Sequence, residues 1–445
     1  YNTAVGSQAG VAVTTGTLNT LIGGLAGDAI TTANANTAVG YASLGANTTG
    51  TSNVALGYEA MLTNTTADNN TAVGLRALKL NTTGASNVAL GTASLGANTT
   101  ASNNTAVGYT ALAANTTGTL NTAVGSLALD ANITGNDNTS LGNLSLSTNT
   151  GSNRNTAIGS AALQTFNVTS DTHTYNTAVG YSAGNLLTTG TYNNLFGGLA
   201  GDALTVGAAN AVMGWGALTS DTQGSNSVAI GHAALGTQNF TSATAAYNTA
   251  VGSNAGGAVT TGTNNTFIGG LAGDATDDGA SNTAVGMSAL SANCGNENTA
   301  CGKGALETAT GQKNTALGAQ AGVGITSGSN NISIGTDASR STAPGGNITT
   351  ESNQICLGDA NITECNIQVD WTVASDARDK TDFTALDLGL DFVKALAPVT
   401  YKWDKRAKYG DKTAEGYDLN AQTPDGTHKE DWLDIGFKAQ EVEAL

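Results

Sequence analysis

The stretch N-T-A-V-G-Y-A-S-L-G-A-N-T-T-G-T-S, residues 36–52, is one copy of a unit that repeats along most of the chain. If the Asn before T-A-V-G is taken as the start, 21 units follow one another, and most successive starts lie 17 residues apart. Repetition at a fixed short period is typical of a solenoid, in which every unit forms one coil. The starts are residues 2, 19, 36, 53, 70, 87, 104, 121, 138, 155, 176, 193, 210, 227, 248, 265, 282, 298, 314, 331 and 354.

The residue types of the unit favour a β coil. T-A-V-G alternates like a short strand, its Gly allows a tight corner, and N-T-T-G has turn-forming residues. A helical solenoid is the alternative, because the A-L pair could form one helical turn. Thr, Asn and Gly are poor helix formers, so the β solenoid is preferred. We therefore predict a mainly β rod on the order of 100 Å long, with Asn above Asn and Val above Val in successive coils.

Composition limits the classes of partner. The chain of 445 residues has a net charge of −17, with both the array and the last 75 residues acidic, which argues against a nucleic-acid partner. Only 5% of residues are aromatic, so we expect a narrow core of Ala, Val, Ile and Leu. There is no run of 18 apolar residues, and no membrane insertion is predicted.

No metal or cofactor is predicted. Asp28, Asp202 and Asp274 recur in register, but lone carboxylates do not form the oxygen cage that Ca²⁺ needs. The cysteines form no paired C-x-x-C motif, and we interpret them as buried packing residues rather than metal ligands or disulfides. They are Cys294, Cys301, Cys356 and Cys365.

Two connections are longer than those of the regular 17-residue units, residues 164–175 and 236–247, and each contains a Phe and ends in a Tyr. Insertions in a solenoid often emerge on one face and bind ligands, although plain loop insertions are the alternative. The candidate receptor-binding residues are Phe166, Tyr175, Phe240 and Tyr247.

The composition changes at W-T-V-A-S-D-A-R-D-K-T, residues 371–381, after which Lys, Asp, Trp and Tyr become frequent. A Ser hydroxyl needs an adjacent base to act as a nucleophile, and a Lys with a lowered pKa is one such base. Ser375 and Lys380 could form such a pair. Spacing alone leaves open the alternative that Ser375 caps the next segment and that residues 376–380 form a solvated face.

The last part of the chain resembles the intramolecular chaperone domain of phage tailspikes and endosialidases, the peptidase S74 family. The resemblance lies in S-D-A-R-D-K (375–380), A-L-A-P-V-T-Y-K-W (395–403) and I-G-F-K-A-Q-E-V-E-A-L (435–445). It implies a domain that trimerises, guides folding of the preceding fibre and then cuts itself off.

The same resemblance implies the residues of self-cleavage. Ser375 would be the nucleophile, Lys380 its base, and Ala374–Ser375 the bond that is cut. Asp379 stands where the family usually has an apolar residue. Its carboxylate favours the charged form of Lys380 and so weakens this Lys as a base.

The array also resembles a family of repeats. N-T-A-V-G (2–6, 282–286) and N-V-A-L-G (53–57, 87–91) are similar to the head repeats of trimeric autotransporter adhesins and of phage tail fibres. That resemblance implies a trimeric β-solenoid or β-roll. The period of 17 is longer than in those repeats.

Together these features predict three segments: a β-solenoid fibre over 1–360, a connecting strand over 361–374 and a small α+β chaperone domain over 375–445. We expect an extracellular homotrimer at the surface or tail of a virion that binds a host receptor or glycan and other tail or capsid proteins. Its catalysis would be at most one Ser/Lys self-cleavage. The alternatives are a bacterial surface adhesin of the trimeric autotransporter type and a glycan-degrading tailspike, which needs paired carboxylates.

Overall fold

The structure is a computed structural model that describes residues 1–341, 343, 346–366, 390–404, 409, 421–429 and 431–438. The chain divides into two compact units, Tyr1–Cys365 and Asn366–Leu445. The predicted segment limits at residues 360 and 374 stay predictions.

The first unit is a β-solenoid built on one parallel sheet of 21 strands. Each coil contributes a strand of three residues, and successive strands pair in register, so that Thr3 pairs with Thr20 and Val5 with Ile22. The predictions of a mainly β solenoid and of like residues stacked in successive coils are confirmed.

The strands of this sheet are short and evenly distributed along the chain. Two further strands, β14 and β16, pair with each other in parallel beside the main sheet. The strands of the first unit are β1 Thr3–Val5, β2 Thr20–Ile22, β3 Thr37–Val39, β4 Val54–Leu56, β5 Thr71–Val73, β6 Val88–Leu90, β7 Thr105–Val107, β8 Thr122–Val124, β9 Thr139–Leu141, β10 Thr156–Ile158, β11 Thr177–Val179, β12 Asn194–Phe196, β13 Ala211–Met213, β14 Gly224–Ser225, β15 Val228–Ile230, β16 Thr244–Ala245, β17 Thr249–Val251, β18 Thr266–Ile268, β19 Thr283–Val285, β20 Thr299–Cys301, β21 Thr315–Leu317, β22 Ile332–Ile334 and β23 Ile355–Leu357.

The core of the solenoid is narrow because small residues line it. In the coil of residues 36–52, the middle strand residue Ala38 is fully buried, and so are Ser43 and Leu44 in the turn that follows. Val39, which closes the strand, points to the other side of the sheet and is only half-buried. The third residue of each strand is apolar, but its side chain lies outside the core.

The side chains at two core positions of the coil vary in size in a complementary way. Where the turn carries Leu44, the residue three places later is Asn47, and both are buried. In the preceding coil the same positions hold Gly27 and Ile30, and a Cβ at Gly27 would lie 2.7 Å from Ile30 Cδ1. Because a close-packed core leaves little room for extra volume, Ile30 at the second position is accompanied by Gly at the first.

The Gly that follows each strand is fixed by its backbone. Gly74 has a φ of +135°, and a Cβ there would lie 2.6 Å from the carbonyl oxygen of Gly91 in the next coil. Both the torsion angle and the close approach of the two backbones exclude a side chain.

A ladder of buried Asn side chains connects the coils. The Oδ1 atom of Asn87 accepts the backbone N–H of Asn104 in the next coil at 3.0 Å. Its Nδ2 donates to the carbonyl of Ala101, in the same coil, at 2.9 Å. Its own N–H donates to Oδ1 of Asn70 in the preceding coil at 2.9 Å. One amide therefore pairs backbone groups of two coils that the short strands leave unpaired.

A second Asn column reinforces the same coils. The column runs from Asn47 to Asn149, and Asn64 Nδ2 donates to Asn47 Oδ1 at 2.9 Å. The chain of amide to amide hydrogen bonds continues through each coil of this stretch. Buried amides are stable here because every coil supplies the partner of the next one.

The first Asn ladder departs from Asn at Ser227 and at Gln354, and the side chain of Ser227 is too short to bridge the coils. Gln238 compensates from the second column. Its Nε2 donates to Ser227 Oγ at 3.1 Å and to Asp221 Oδ2 at 2.7 Å, and its Oε1 accepts from Asn248 Nδ2 at 2.9 Å. A longer amide thus connects the side chains of Ser227 and Asn248 across the gap that the missing Asn leaves.

The described part of the second unit contains one helix and one antiparallel pair of strands. The helix α1 spans Leu390–Ala395, and β24 Val399–Tyr401 pairs with β25 Asp434–Gly436. Pro398 lies between α1 and β24, where its ring prevents a longer helix. The alternation of apolar and polar residues in V-T-Y-K-W, residues 399–403, indicates a strand, and β24 lies in this segment.

Asp130 is an unfavourable residue in the solenoid. Its Oδ1 atom is buried and has no hydrogen-bond partner among the described residues. Burial raises the pKa of the Asp130 carboxyl above its ordinary value, although backbone N–H groups partly oppose this shift. The folded chain therefore keeps a proton on Asp130 at pH values at which the unfolded chain has lost it.

Removing one Asn of the ladder should destabilise the fold. In Asn87→Ala, the N–H of Asn104 loses its buried partner and the carbonyl of Ala101 keeps only Asn98 Nδ2 as a side-chain donor, so we expect a loss of roughly 2–4 kcal/mol in the free energy of unfolding. Denaturant unfolding followed by circular dichroism measures this loss. The exposed Thr100→Ala is the matched control, and it should stay within about 0.5 kcal/mol of wild type. Equal stability of the two variants would contradict the role of the ladder.

Asp130→Asn should stabilise the chain in a pH-dependent way. Since the folded-state pKa is raised, wild type loses stability as pH rises from the ordinary Asp pKa through the raised value. The neutral amide avoids this loss, so the variant should unfold at a higher temperature at pH 7 and at the same temperature in acid below the ordinary pKa. Asp278→Asn, at an exposed site, should show no such difference. A stability gain that is independent of pH would refute this explanation.

Candidate functional site

The proposed self-cleavage residues lie outside the described residues. This applies to Ala374, Ser375, Asp379 and Lys380. Their roles remain predictions from the sequence.

The four aromatic residues proposed for receptor contact lie in two different environments. Phe166 is fully buried and Phe240 is 6% exposed, whereas Tyr175 is 43% and Tyr247 58% exposed. Phe166 is buried because it stands one coil above Asn149, in the inward-facing second column. The two Phe residues therefore fill the core beneath the insertions, and the two Tyr side chains are the ones that reach the surface.

Tyr175 belongs to an exposed row of side chains that crosses four coils. Its ring stacks on Tyr192 with centroids 5.8 Å apart, and Arg154 Nη1 donates to its hydroxyl at 2.6 Å. Arg154 also pairs with Asp137, with 3.7 Å between Nε and Oδ2. The hydrogen bond that Arg154 donates to Tyr175 is the main reason why the pKa of Arg154 lies above its usual value. This row is a rigid, solvent-facing edge next to the first insertion.

A cleft of about 570 Å³ lies in the turns that follow the strands of five consecutive coils. Trp215 is 58% exposed at its edge and stacks on His232, with ring centroids 5.3 Å apart and an angle of 14° between the rings. No residue that lines the cleft belongs to a strand of the main sheet. The lining includes Leu199, Trp215, Thr219, Asn254, Leu271 and Asp274.

Small residues create this cleft. Gly216 occupies a position that holds Arg76 or Leu127 in other coils, and Gly236 and Gly257 form part of the floor. At one end stands Asp274, whose Oδ1 atom is buried and has no hydrogen-bond partner among the described residues. The cleft thus combines an aromatic surface, apolar walls and a carboxylate with incomplete hydrogen bonding.

The same turn positions form a smaller cleft of about 290 Å³ near the start of the chain, lined by Leu25, Asp28 and Leu62. The third Asp of this register, Asp202, instead accepts a hydrogen bond from Thr219 Oγ1 at 2.5 Å. Among the described residues no group of three or more His, Cys, Asp or Glu side chains is placed to hold a metal ion.

The outer side of the main sheet carries an uninterrupted row of apolar side chains. The third residue of each strand is apolar, and none of the residues of these 21 strands is charged. These side chains are exposed or half-buried, and below they are called the apolar row. The row consists of Val5, Ile22, Val39, Leu56, Val73, Leu90, Val107, Val124, Leu141, Ile158, Val179, Phe196, Met213, Ile230, Val251, Ile268, Val285, Cys301, Leu317, Ile334 and Leu357.

The interpretation of all four cysteines as buried packing residues is wrong for two of them. Cys294 and Cys356 are buried, but Cys301 and Cys365 are exposed. Cys301 is exposed because it is the third residue of its strand and lies in the apolar row. Cys356 is the middle residue of its strand and faces the core.

Within the described part of the chain, no helix is both long and apolar enough to span a membrane.

Two features of the surface were not found from the sequence. The apolar row has a visible signal, because the residue before the Gly of every unit is aliphatic, sulfur-containing or aromatic. Trp215 also has one, since it is the single Trp before residue 371. The cleft as a whole has no linear signal, because its lining residues are spread over five consecutive coils.

Comparison with known proteins bears on the second unit. The family model described as the chaperone of endosialidase, Peptidase_S74, matches residues 375–445. This match confirms the resemblance of the C-terminal segment to the S74 chaperone domain. No curated protein matches the chain. A β-solenoid followed by a segment of this family fits a protein similar to a phage tail fibre or tailspike.

Proposed function

We propose that the chain is a structural and adhesive fibre of a virion tail or surface, in which three parallel copies associate through the apolar row. In this proposal the C-terminal domain brings the three chains together, sets their register and then cuts itself off. The trimeric state and the self-cleavage are implied by the similarity of residues 375–445 to the S74 chaperone domain.

The apolar row is the observation that carries this proposal. A row of apolar side chains on every coil is larger than the isolated apolar patches of ordinary monomer surfaces, and patches of this kind mark association sites. With about 4.8 Å between coils, the row extends on the order of 100 Å. Another copy of the same chain has a row of the same length and spacing, and it has no charged strand residue that would repel the first.

The register of such an assembly needs an external reference. A shift of one copy by one coil would place Val or Leu opposite Val or Leu again, because the row changes little from coil to coil. Register is therefore weakly specified by the strand face itself. A domain that gathers the chain ends before the sheets pack removes this ambiguity, and its later loss leaves the fibre kinetically trapped.

Cross-linking through Cys301 tests the interface. In a Cys365→Ser background, Cys301 is the single exposed thiol of the first unit, and it lies within the apolar row. If copies pack in register through this row, mild oxidation or a short bismaleimide should give covalent dimers on a denaturing gel. The same product is expected when Ile334→Cys is introduced together with Cys301→Ser.

A thiol outside the row is the control for this cross-link. Asp278→Cys, introduced together with Cys301→Ser, places an exposed thiol outside the strands and should give no covalent dimer. Sizing by light scattering gives the number of copies independently. A trimer in which neither row position cross-links would place the interface elsewhere, and a monomer would contradict the fibre itself.

Self-cleavage should depend on two residues. Wild type should release the segment 375–445, whereas Ser375→Ala and Lys380→Ala should stay intact on a denaturing gel because the nucleophile or its base is missing. Asp379→Leu should cut faster than wild type, since it removes the carboxylate that keeps Lys380 charged. An uncut wild type that still forms trimers would remove the protease from the proposal and leave the chaperone.

A further inference from the structure

We propose that the cleft beside Trp215 binds a short, uncharged saccharide chain. This inference rests on the proposed attachment function, and it names the class of receptor that the fibre would recognise and the surface that recognises it.

Trp215 is presented as a rigid platform with one free face. On one side its ring stacks on His232, at 5.3 Å between centroids. On the other side the corresponding residue of the preceding coil is Gly198, whose missing side chain leaves the ring uncovered. A Cβ at Gly198 would already lie 3.4 Å from Trp215 Cδ1. A flat aromatic face with no protein side chain over it can receive the C–H face of a pyranose ring.

The polar groups of the cleft lie at a distance from this platform. A sugar ring on the free face of Trp215 lies in the coil of Gly198, four coils before that of Asp274, which corresponds to about 19 Å along the solenoid. A small ion or a single sugar ring cannot reach from this face to Asp274. A chain of about four sugar rings has this length, and it presents hydroxyl donors along its whole edge.

Asp274 is the one carboxylate that lines the cleft, and a carboxylate accepts hydrogen bonds from hydroxyl donors. Asn254 lines the cleft between Trp215 and Asp274 and adds an amide that both donates and accepts. The size of the cleft, its apolar walls and its few polar groups are those of a ligand site.

Charge selects among saccharides. No Lys or Arg lines the cleft, Asp274 lines it, and the chain as a whole has a net charge of −17. Sialylated or sulfated chains would be repelled, and uncharged chains would not. The lining contains a single carboxylate, whereas glycoside hydrolysis needs two, so the site is assigned to binding and not to cleavage.

The test uses the full-length chain and a panel of uncharged oligosaccharides, namely cello-, chito-, malto- and mannotrioses and tetraoses, with sialyllactose as the charged member. Binding is measured by calorimetry and by the change in Trp fluorescence. We expect at least one uncharged member to bind and sialyllactose not to bind. Trp215→Ala should weaken binding by at least about tenfold, while Trp215→Phe keeps part of it.

Two further variants separate the site from general damage. Gly198→Leu keeps Trp215 but covers its free face, so it should lose binding as Trp215→Ala does. Tyr109→Ala removes another exposed aromatic residue that follows a strand, outside the cleft, and should bind like wild type. Circular dichroism melting confirms that each variant is folded.

The proposal is overturned if no uncharged member binds, or if Gly198→Leu and Tyr109→Ala have the same effect. Binding that disappears in high salt and in Asp274→Asn would also overturn it, because that pattern indicates a cationic ligand. Cross-linking at Cys301 does not depend on saccharide binding. A chain that cross-links but binds no saccharide therefore contradicts this inference alone, and a chain that binds but remains monomeric contradicts the fibre.

Discussion

The buried Asn ladder is the interaction on which the solenoid depends. A strand of three residues pairs few backbone groups, and backbone hydrogen bonds in the turns pair others between coils, but the N–H that opens each coil needs a side-chain acceptor. Each ladder Asn acts as an additional peptide group, since Oδ1 accepts from the next coil and Nδ2 donates within its own. The regular spacing of the coils brings the Gly backbones that follow the strands into contact, and small residues fill the narrow core.

The same regularity determines what the surface can do. Stacking in register converts each position of the unit into a column, so an outward aliphatic residue becomes a continuous apolar row, and a local loss of side-chain volume becomes a cleft. Both features arise because equivalent positions of successive coils stack in register. The apolar row depends on sameness from coil to coil, whereas the cleft depends on the few coils in which Gly216, Gly236 and Gly257 depart from the common pattern.

Much of the fold follows from the sequence, because the period, the Gly corners and the Asn positions are local properties of each unit. The side of the sheet that each strand residue faces does not follow from them with the same certainty. Val and Ala alternate in the strand, and hydrophobicity alone does not tell which of them is inside; here the smaller one is, because the coil is narrow. This choice explains why Cys301 is exposed, whereas Phe166 is buried because its column faces inward. The cleft could not be predicted in the same way. It forms only where small residues at several positions of five consecutive coils come together, and the structure shows which positions face one another.

The repair at Ser227 has a consequence for how such a chain can change over generations. Gln238, from a different column, donates to Ser227 and accepts from the side chain of Asn248. The two columns can therefore share side-chain hydrogen bonds, and a short residue in one column is accommodated by a longer amide in the other. A chain with such alternative hydrogen bonds tolerates some substitutions at its buried polar positions without unfolding. Its outer positions are then free to diversify as the surfaces that it must recognise diversify.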